Sequence, residues 1–351
     1  FLFLLFFIMD IIADLQLHSR FSRACSKNIT LDKLEKFSRI KGLDLLSTGD
    51  FQHPTWNSEI KQNLEEDEKG ILWSKNKFPF IWGSEISLMF SDNGRRAIHL
   101  LMFAPNSDVA DQIIDTLGKK GRLDYDGRPI FGMSCVEFVE LMKEIDDKIE
   151  IIPAHCMTSW FGLYGSKSGF DSLKECFKDK TNKIYSIESG MSANPSMLWR
   201  LKEKVNVVSF SDAHSFWPYR LGREATVFDL KELSYENIIK AIRTGVGLKN
   251  TIEVKPEYGK YHIDGHRSCN FSCDFKESRK LGKICPKCRS ELTIGVEYRI
   301  EELAKENEGY KSENAKTFFE IIPLQELIAA VYEVKQLNGK KVWAVYDSLI
   351  N

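Results

Sequence analysis

His18, Asp50, Glu85, His155, Glu188, Asp212 and His214 each close a short apolar run rich in β-branched residues, and His99 precedes another. Neutral imidazole together with carboxylate favours Zn, Mn or Fe, and carboxylate with water suits Mg. These groups are too many for one ion and suffice for two or three divalent ions (Zn, Mg or Mn) sharing bridging carboxylates. Clustered ions activate a water and stabilise the departing oxygen of an in-line phosphoryl displacement. Any one of these histidines taken alone reads as a satisfied core or surface residue, but recurrence of the same residue classes at strand ends argues against that for the set. His53, in Gln52-His53-Pro54, stays open between ligand, catalytic acid and turn residue.

A second constellation follows. His262-x3-His266-x2-Cys269-x3-Cys273 precedes Cys285-Pro286-Lys287-Cys288. Paired Cys with flanking His reads as a closed tetrahedral zinc site in a reducing compartment. His266, Cys269, Cys285 and Cys288 are the favoured ligands of one structural Zn, with Cys273 and His262 as the runners-up. The surrounding 255–300 stretch carries ten Lys and Arg against six Asp and Glu. That surplus is compatible with phosphate contacts, and a solvated face would look the same.

The elements that must position the first set are apolar runs at 11–17, 43–49, 80–84, 100–103, 149–154, 184–187 and 205–211. Between them lie helix-period segments: one opens at Thr30, and others span 107–117, 134–147, 171–177 and 234–244. Alternation with short links argues for parallel βαβ units. Seven strands with polar residues gathered at their C-terminal ends follow the logic of an α/β barrel. A doubly wound open sheet would satisfy the alternation, yet not the donation of a ligand type by nearly every strand.

With 351 residues, 43% hydrophobic and 28% charged, the chain is of ordinary globular composition and of a length for about two domains. A net charge of -1 excludes a uniformly basic nucleic-acid coat, although not a local groove. The opening FLFLLFFI has no basic flank and is too short to span a bilayer. Residues 1–8 are therefore read as an extension from a misassigned start, with Met9 the true beginning and a short anchor the alternative. A cytoplasmic, nucleoid-associated protein is expected, with no membrane contact.

Asp14-Leu15-Gln16-Leu17-His18-Ser19, Ser47-Thr48-Gly49-Asp50, Gly83-Ser84-Glu85, Pro153-Ala154-His155 and Ser211-Asp212-Ala213-His214 resemble the ordered motifs of the PHP (polymerase and histidinol phosphatase) metallo-phosphoesterases. Four longer strings resemble the archaeal endonuclease Q family more narrowly: those beginning at His18, Gly165 and Leu221, and Gly259-Lys260-Tyr261-His262-Ile263-Asp264-Gly265-His266-Arg267. The resemblance runs from about Asp10 to the C-terminus. It implies a distorted seven-stranded PHP barrel over 9–254, a zinc-binding module over 255–295 and a helical C-terminal region over 296–351. It also implies nicking of DNA 5′ to uracil, hypoxanthine or xanthine. Gln16 stands where the family usually has His, and its neutral amide oxygen leaves one subsite empty, weak or filled by a harder ion such as Mg. The ending at Asn351 stops short of the family's usual extension, which reads as truncation.

The resulting expectation is a metal-dependent DNA endonuclease acting as a monomer, with a repair or replication clamp as a candidate partner. Asp212 or His214 steers the water or protonates the leaving oxygen. Trp160, Phe161, Tyr164 and Lys167, in a Gly-rich loop, and Arg220 and Arg223 are the candidate DNA contacts, with coverage of the barrel mouth the competing role. The rival functions are a phosphatase of small phosphomonoesters and a non-catalytic lesion-binding protein.

Overall fold

The computed structural model describes residues 9–259 and 261–350. The expected extension at 1–8 lies outside the described residues, as does Lys260.

Four expected helices form where a side chain can cap them. Thr30, Asn106, Ser134 and Ser234 each accept a backbone N–H three residues on, opening Leu31–Lys41, Ser107–Gly118, Cys135–Ile145 and Tyr235–Thr244. Such a cap satisfies one of the first turn's orphan donors, worth ~1 kcal/mol. Gly42 and Gly245 end the first and last of them at φ 82° and 74°, a conformation without cost only for glycine. The inner faces, such as Leu31, Leu34 and Phe37, are buried against the sheet.

The fold is mixed α/β around a central sheet of eleven strands. Met9–Asp14, Leu45–Ser47 and Pro79–Ser91 are parallel, as expected. The expectation of purely parallel units fails at both flanks. Ala225–Leu230 runs antiparallel to Met9–Asp14, and Arg95–Ala104 runs antiparallel to both Pro79–Ser91 and Glu150–Pro153. At the second flank the cause is local: Asp92-Asn93-Gly94, with Asn93 at φ 50° and Gly94 at φ 129°, turns the chain straight back from Pro79–Ser91 into Arg95–Ala104. Ser186–Glu188 and Asn206–Val208 form a separate parallel pair. They are tied in by Cys156 N–H to Glu188 O (2.9 Å) and by the Leu17–Ala213 bridge. Strand ends from all around the sheet therefore converge on one region.

The C-terminal region is not helical throughout. Thr317–Glu320 adds a parallel strand beside Leu248–Glu253, and Val296 and Ile300 enter the main core. No helix among the described residues is long and apolar enough to cross a membrane.

At the start of the strand Glu150–Pro153, Glu150 is fully buried and accepts from Arg243 Nε at 2.6 Å. Burial nonetheless pushes its carboxyl up to about 7 from a usual 4.5. A raised carboxyl contributes its stability below the unfolded value and loses it as pH rises to the folded one. Unfolding free energy should therefore fall by up to about 3 kcal/mol between pH 4.5 and 7, and Glu150→Gln should flatten that slope in urea titrations.

Candidate metal centre

Three of the motif residues sit where no ordinary L-residue prefers to be. Asp50, His155 and Asp212 have φ of 43°, 31° and 48°, each just past the end of its run. Such left-handed backbone costs roughly 1–3 kcal/mol per residue and persists only where surroundings enforce it. Here it turns each side chain sideways out of the strand direction. Asp50 is held by Ser19 N, Ser19 Oγ and Ser22 Oγ, all on Oδ2 at 2.6 to 2.8 Å. His155 N donates to Glu188 Oε2 at 2.5 Å. Gly190 and Gly127 permit the close approach of their loops: a Cβ would meet His155 Cβ at 2.6 Å and Asp50 Oδ2 at 2.2 Å, respectively.

Among the described residues, His18, Asp212 and His214 form one group with ligand atoms within 4.8 Å of one another, and Glu85, His99 and His155 form a second. Glu85 joins them. Its Oε2 lies 3.1 Å from His18 Nε2, and its Oε1 lies 2.6 Å from His99 Nδ1 and 3.4 Å from His155 Nε2. Glu85 and His99 stand within strands, not at their ends. They meet because the antiparallel register places Ser87 opposite His99, making Glu85 a same-face diagonal neighbour.

The electrostatics call for positive charge. Burial would discharge His18, but Asp50, Asp212 and Glu85 outweigh it and hold the imidazole well above its usual range. Burial alone would raise Glu85, yet the Arg128 guanidinium, helped by hydrogen bonds from His155 and His18, pulls it well below. His99 is pushed down to about 4 by burial, against the pull of Glu85, and so is neutral and ligand-competent. Burial raises Glu188 well above the usual carboxyl value. Gln16 Oε1 and Glu188 Oε1 are buried with no hydrogen-bond partner among the described residues, and His18 Nε2 faces Glu85 Oε2 and Asp212 Oδ1 at 3.1 and 3.2 Å without hydrogen-bond geometry to either. Unpaired buried donors and acceptors are costly, and a cation would satisfy such a set. The residues present therefore fit divalent ions.

The remaining candidates take other positions. Asp50 lies behind His18, Oδ1 to Nδ1 at 3.0 Å, the arrangement that fixes a ligand's tautomer and orientation. Gln16 gives its amide hydrogen to Glu85 Oε2 at 2.8 Å, leaving its oxygen free. His53 belongs to neither group; it stacks on Phe21 with centroids 4.1 Å apart, and burial lowers its pKa. Arg128 was not anticipated. It sits on a loop with no motif of its own, and its Nη1 donates to Glu85 Oε1 at 3.1 Å. Asp14 opens the motif that holds His18. It accepts from Ser211 N at 3.0 Å and Gly222 N at 2.8 Å, pinning the backbone beside Asp212.

His266, Cys269, Cys285 and Cys288 bring their ligand atoms within 4.8 Å of one another, with His266 Nδ1 3.2 Å from Cys288 Sγ. Ser290 draws the Cys288 thiol down to about 6, toward the thiolate that a metal needs. Cys273 points into the small apolar cluster beneath, with Leu292, and His262 is outside the group.

Two candidate DNA contacts need correction. Arg223 is buried, with Nε and Nη2 both on Ser211 O (3.1 and 3.0 Å), and Tyr164 is fully buried, so neither can meet a nucleic acid. Phe161 stacks on His99 at 4.4 Å. Trp160, 40% exposed, together with Lys167 and the half-buried Arg220, remains accessible.

No family model matches the chain. An uncharacterised protein of Methanocaldococcus jannaschii is 34% identical over 206 residues, 56% of this chain. The match spans 25% of that relative, so the chain corresponds to about a quarter of its length. The crystal structure of the lesion-specific endonuclease PfuEndoQ from Pyrococcus furiosus is similar over 97% of this chain and 82% of its own, with 30% identity and a TM-score of 0.85. An endonuclease Q complex with a 27-mer duplex substrate carrying an abasic lesion at the active site matches over 97% and 84%, with 30% identity and a TM-score of 0.86.

Proposed function

The chain belongs to the endonuclease Q family, and from that premise we propose that it is a metal-dependent DNA endonuclease hydrolysing the phosphodiester 5′ to deaminated bases. The observation that carries the reading is the pair of ligand groups joined through Glu85. The strands that supply them, from Met9–Asp14 round to Asn206–Val208, are read as a distorted seven-stranded barrel, with a zinc module over 255–295 and a tail from 296.

His18, Asp212 and His214 would hold one divalent ion and Glu85, His99 and His155 another, with Glu85 shared, while Glu188 falls in neither group and holds the His155 backbone N–H. Ions bound there supply electrophilic stabilisation of the phosphoryl oxygens and an acidified water. Asp50 orients His18, and Arg128 keeps Glu85 ionised. Asp212 and His214 have side chains 26% and 33% exposed and are the members that meet solvent. They are assigned to steer the attacking water and protonate the leaving oxygen. Trp160, Lys167 and Arg220 would meet the strand flanking the scissile bond.

The test is incision of uracil- and hypoxanthine-containing duplexes by the purified chain with Mg2+, Mn2+ or Zn2+, with and without chelator. A nick 5′ to the lesion that chelator abolishes is expected. Intact oligonucleotides, or cleavage that persists in chelator, would overturn the reading. Hydrolysis of p-nitrophenyl phosphate without DNA nicking would identify a phosphatase instead.

A further inference from the structure

The segment 215–221, directly after Asp212 and His214, belongs to no strand or helix. Its own backbone bonds are local: Arg220 N and Leu221 N both donate to Trp217 O, at 2.8 and 2.9 Å. Lys41 Nζ adds one tie to Pro218 O at 2.8 Å. The next anchor to a strand residue is Gly222 N on Asp14. Just before the segment Ser26 N donates to His214 O at 2.9 Å, and within it Lys33 Nζ lies over the Phe216 ring at 4.9 Å; the other contacts that hold the segment are aromatic. Phe216 stacks on Phe37 at 5.2 Å, and Trp217 meets Phe37 at 5.4 Å. Trp343 stands edge-on to both, 5.4 Å from Trp217 and 5.8 Å from Phe37.

Trp343 lies on the helix Lys340–Ile350, whose Val342 and Tyr346 pack with Ile328 and Ala329 of the helix Leu324–Val331. Trp217, three residues beyond His214, thus packs on both Phe37 of the helix Leu31–Lys41 and Trp343 of the tail. The His214 ring in turn stands edge-on to His18 at 4.8 Å. We propose that the C-terminal helix positions the Asp212–His214 pair, with Trp343 as the positioning residue. The tail then sets the affinity of the metal centre without touching it. This inference rests on reading Asp212 and His214 as ligands.

The experiment is Mn2+ titration of the full chain, followed by electron paramagnetic resonance, with finger zinc and the unfolding midpoint measured alongside. Trp343→Ala should weaken one Mn2+ site about tenfold, the range expected when support for a ligand is lost, while the finger keeps its zinc. Trp343→Phe, which keeps a ring, should restore the affinity. Val331→Ser, at a tail position 78% exposed, should leave it unchanged. If Trp343→Ala does not fold, Trp343→Leu carries the test, with the same weakening expected. Unchanged Mn2+ affinity in the folded Trp343 variant, or a Phe variant no better than Ala, overturns the inference alone. A wild-type chain that binds no Mn2+ overturns the reading of the ligands as well.

Discussion

Glu85→Gln is expected to cut incision of lesion-containing DNA on the order of 10³-fold while leaving DNA affinity intact. Glu85 is the group through which both ligand clusters communicate, with His18 and Gln16 on one oxygen and His99, His155 and Arg128 on the other. The substitution preserves shape and removes the charge that both ions would share. Electrophilic stabilisation of a phosphoryl transition state is worth several kcal/mol, and roughly 4 kcal/mol corresponds to about 10³ in rate. It also leaves the Arg128 guanidinium facing a neutral amide. Asp50→Asn is the informative comparison, because that carboxylate acts on His18 from behind and should cost only ~10–100-fold. Single-turnover kinetics at saturating DNA, with bound Mn2+ counted in parallel, separate the two. Wild-type rates for Glu85→Gln would remove the bridging role.

The second large effect concerns the finger. Cys285→Ala should release the equivalent of one zinc per chain and collapse the module's structure. The module has little else to fold on: among the described residues its apolar cluster buries Cys273, Cys285 and Leu292, with Cys269, Phe271 and Leu281 half-buried against them. A structural zinc contributes an apparent ~10–16 kcal/mol in small domains, far beyond what such a cluster supplies. Ser159 Oγ and Ser166 Oγ both donate to Ile294 O, at 3.1 and 2.8 Å, so the loop carrying Trp160 would lose its brace. The expected result is one zinc fewer by elemental analysis, new protease cleavage within the module and weaker DNA binding. Hydrolysis of a small phosphodiester at the Glu85-centred ligands should be unaffected. Retention of the zinc by Cys285→Ala would show that the metal, if any, sits elsewhere.

Much of this was legible in the linear chain, for identifiable reasons. Thr30 announced its helix because capping is a local contact between a side chain and an N–H three residues away, and the helices at 107–117, 134–147 and 234–244 showed in their apolar period. Short apolar runs ending in His, Asp or Glu announced the donors, because a buried strand and a polar terminus are both written in consecutive residues. The hairpin that reverses Arg95–Ala104 had a signal too, in Asn93-Gly94, and it was overshadowed by the alternation around it. Helix Pro54–Asn63, which buries Trp56 and Ile60, was not anticipated either.

What the sequence determined by itself was the inventory: which residue types were available for metal, their order, and the helices and apolar runs that carry them. Tertiary structure decided who meets whom. It put Glu85 beside His99 through an antiparallel register, brought Arg128 across from a loop with no signature, and set Asp50 behind His18 rather than beside the other ligands. It turned Arg223 inward to a carbonyl although its neighbour Arg220 stays accessible. The physical reason is that these pairings join groups tens to hundreds of residues apart, while sequence periodicity reports only contacts within a few residues along one element.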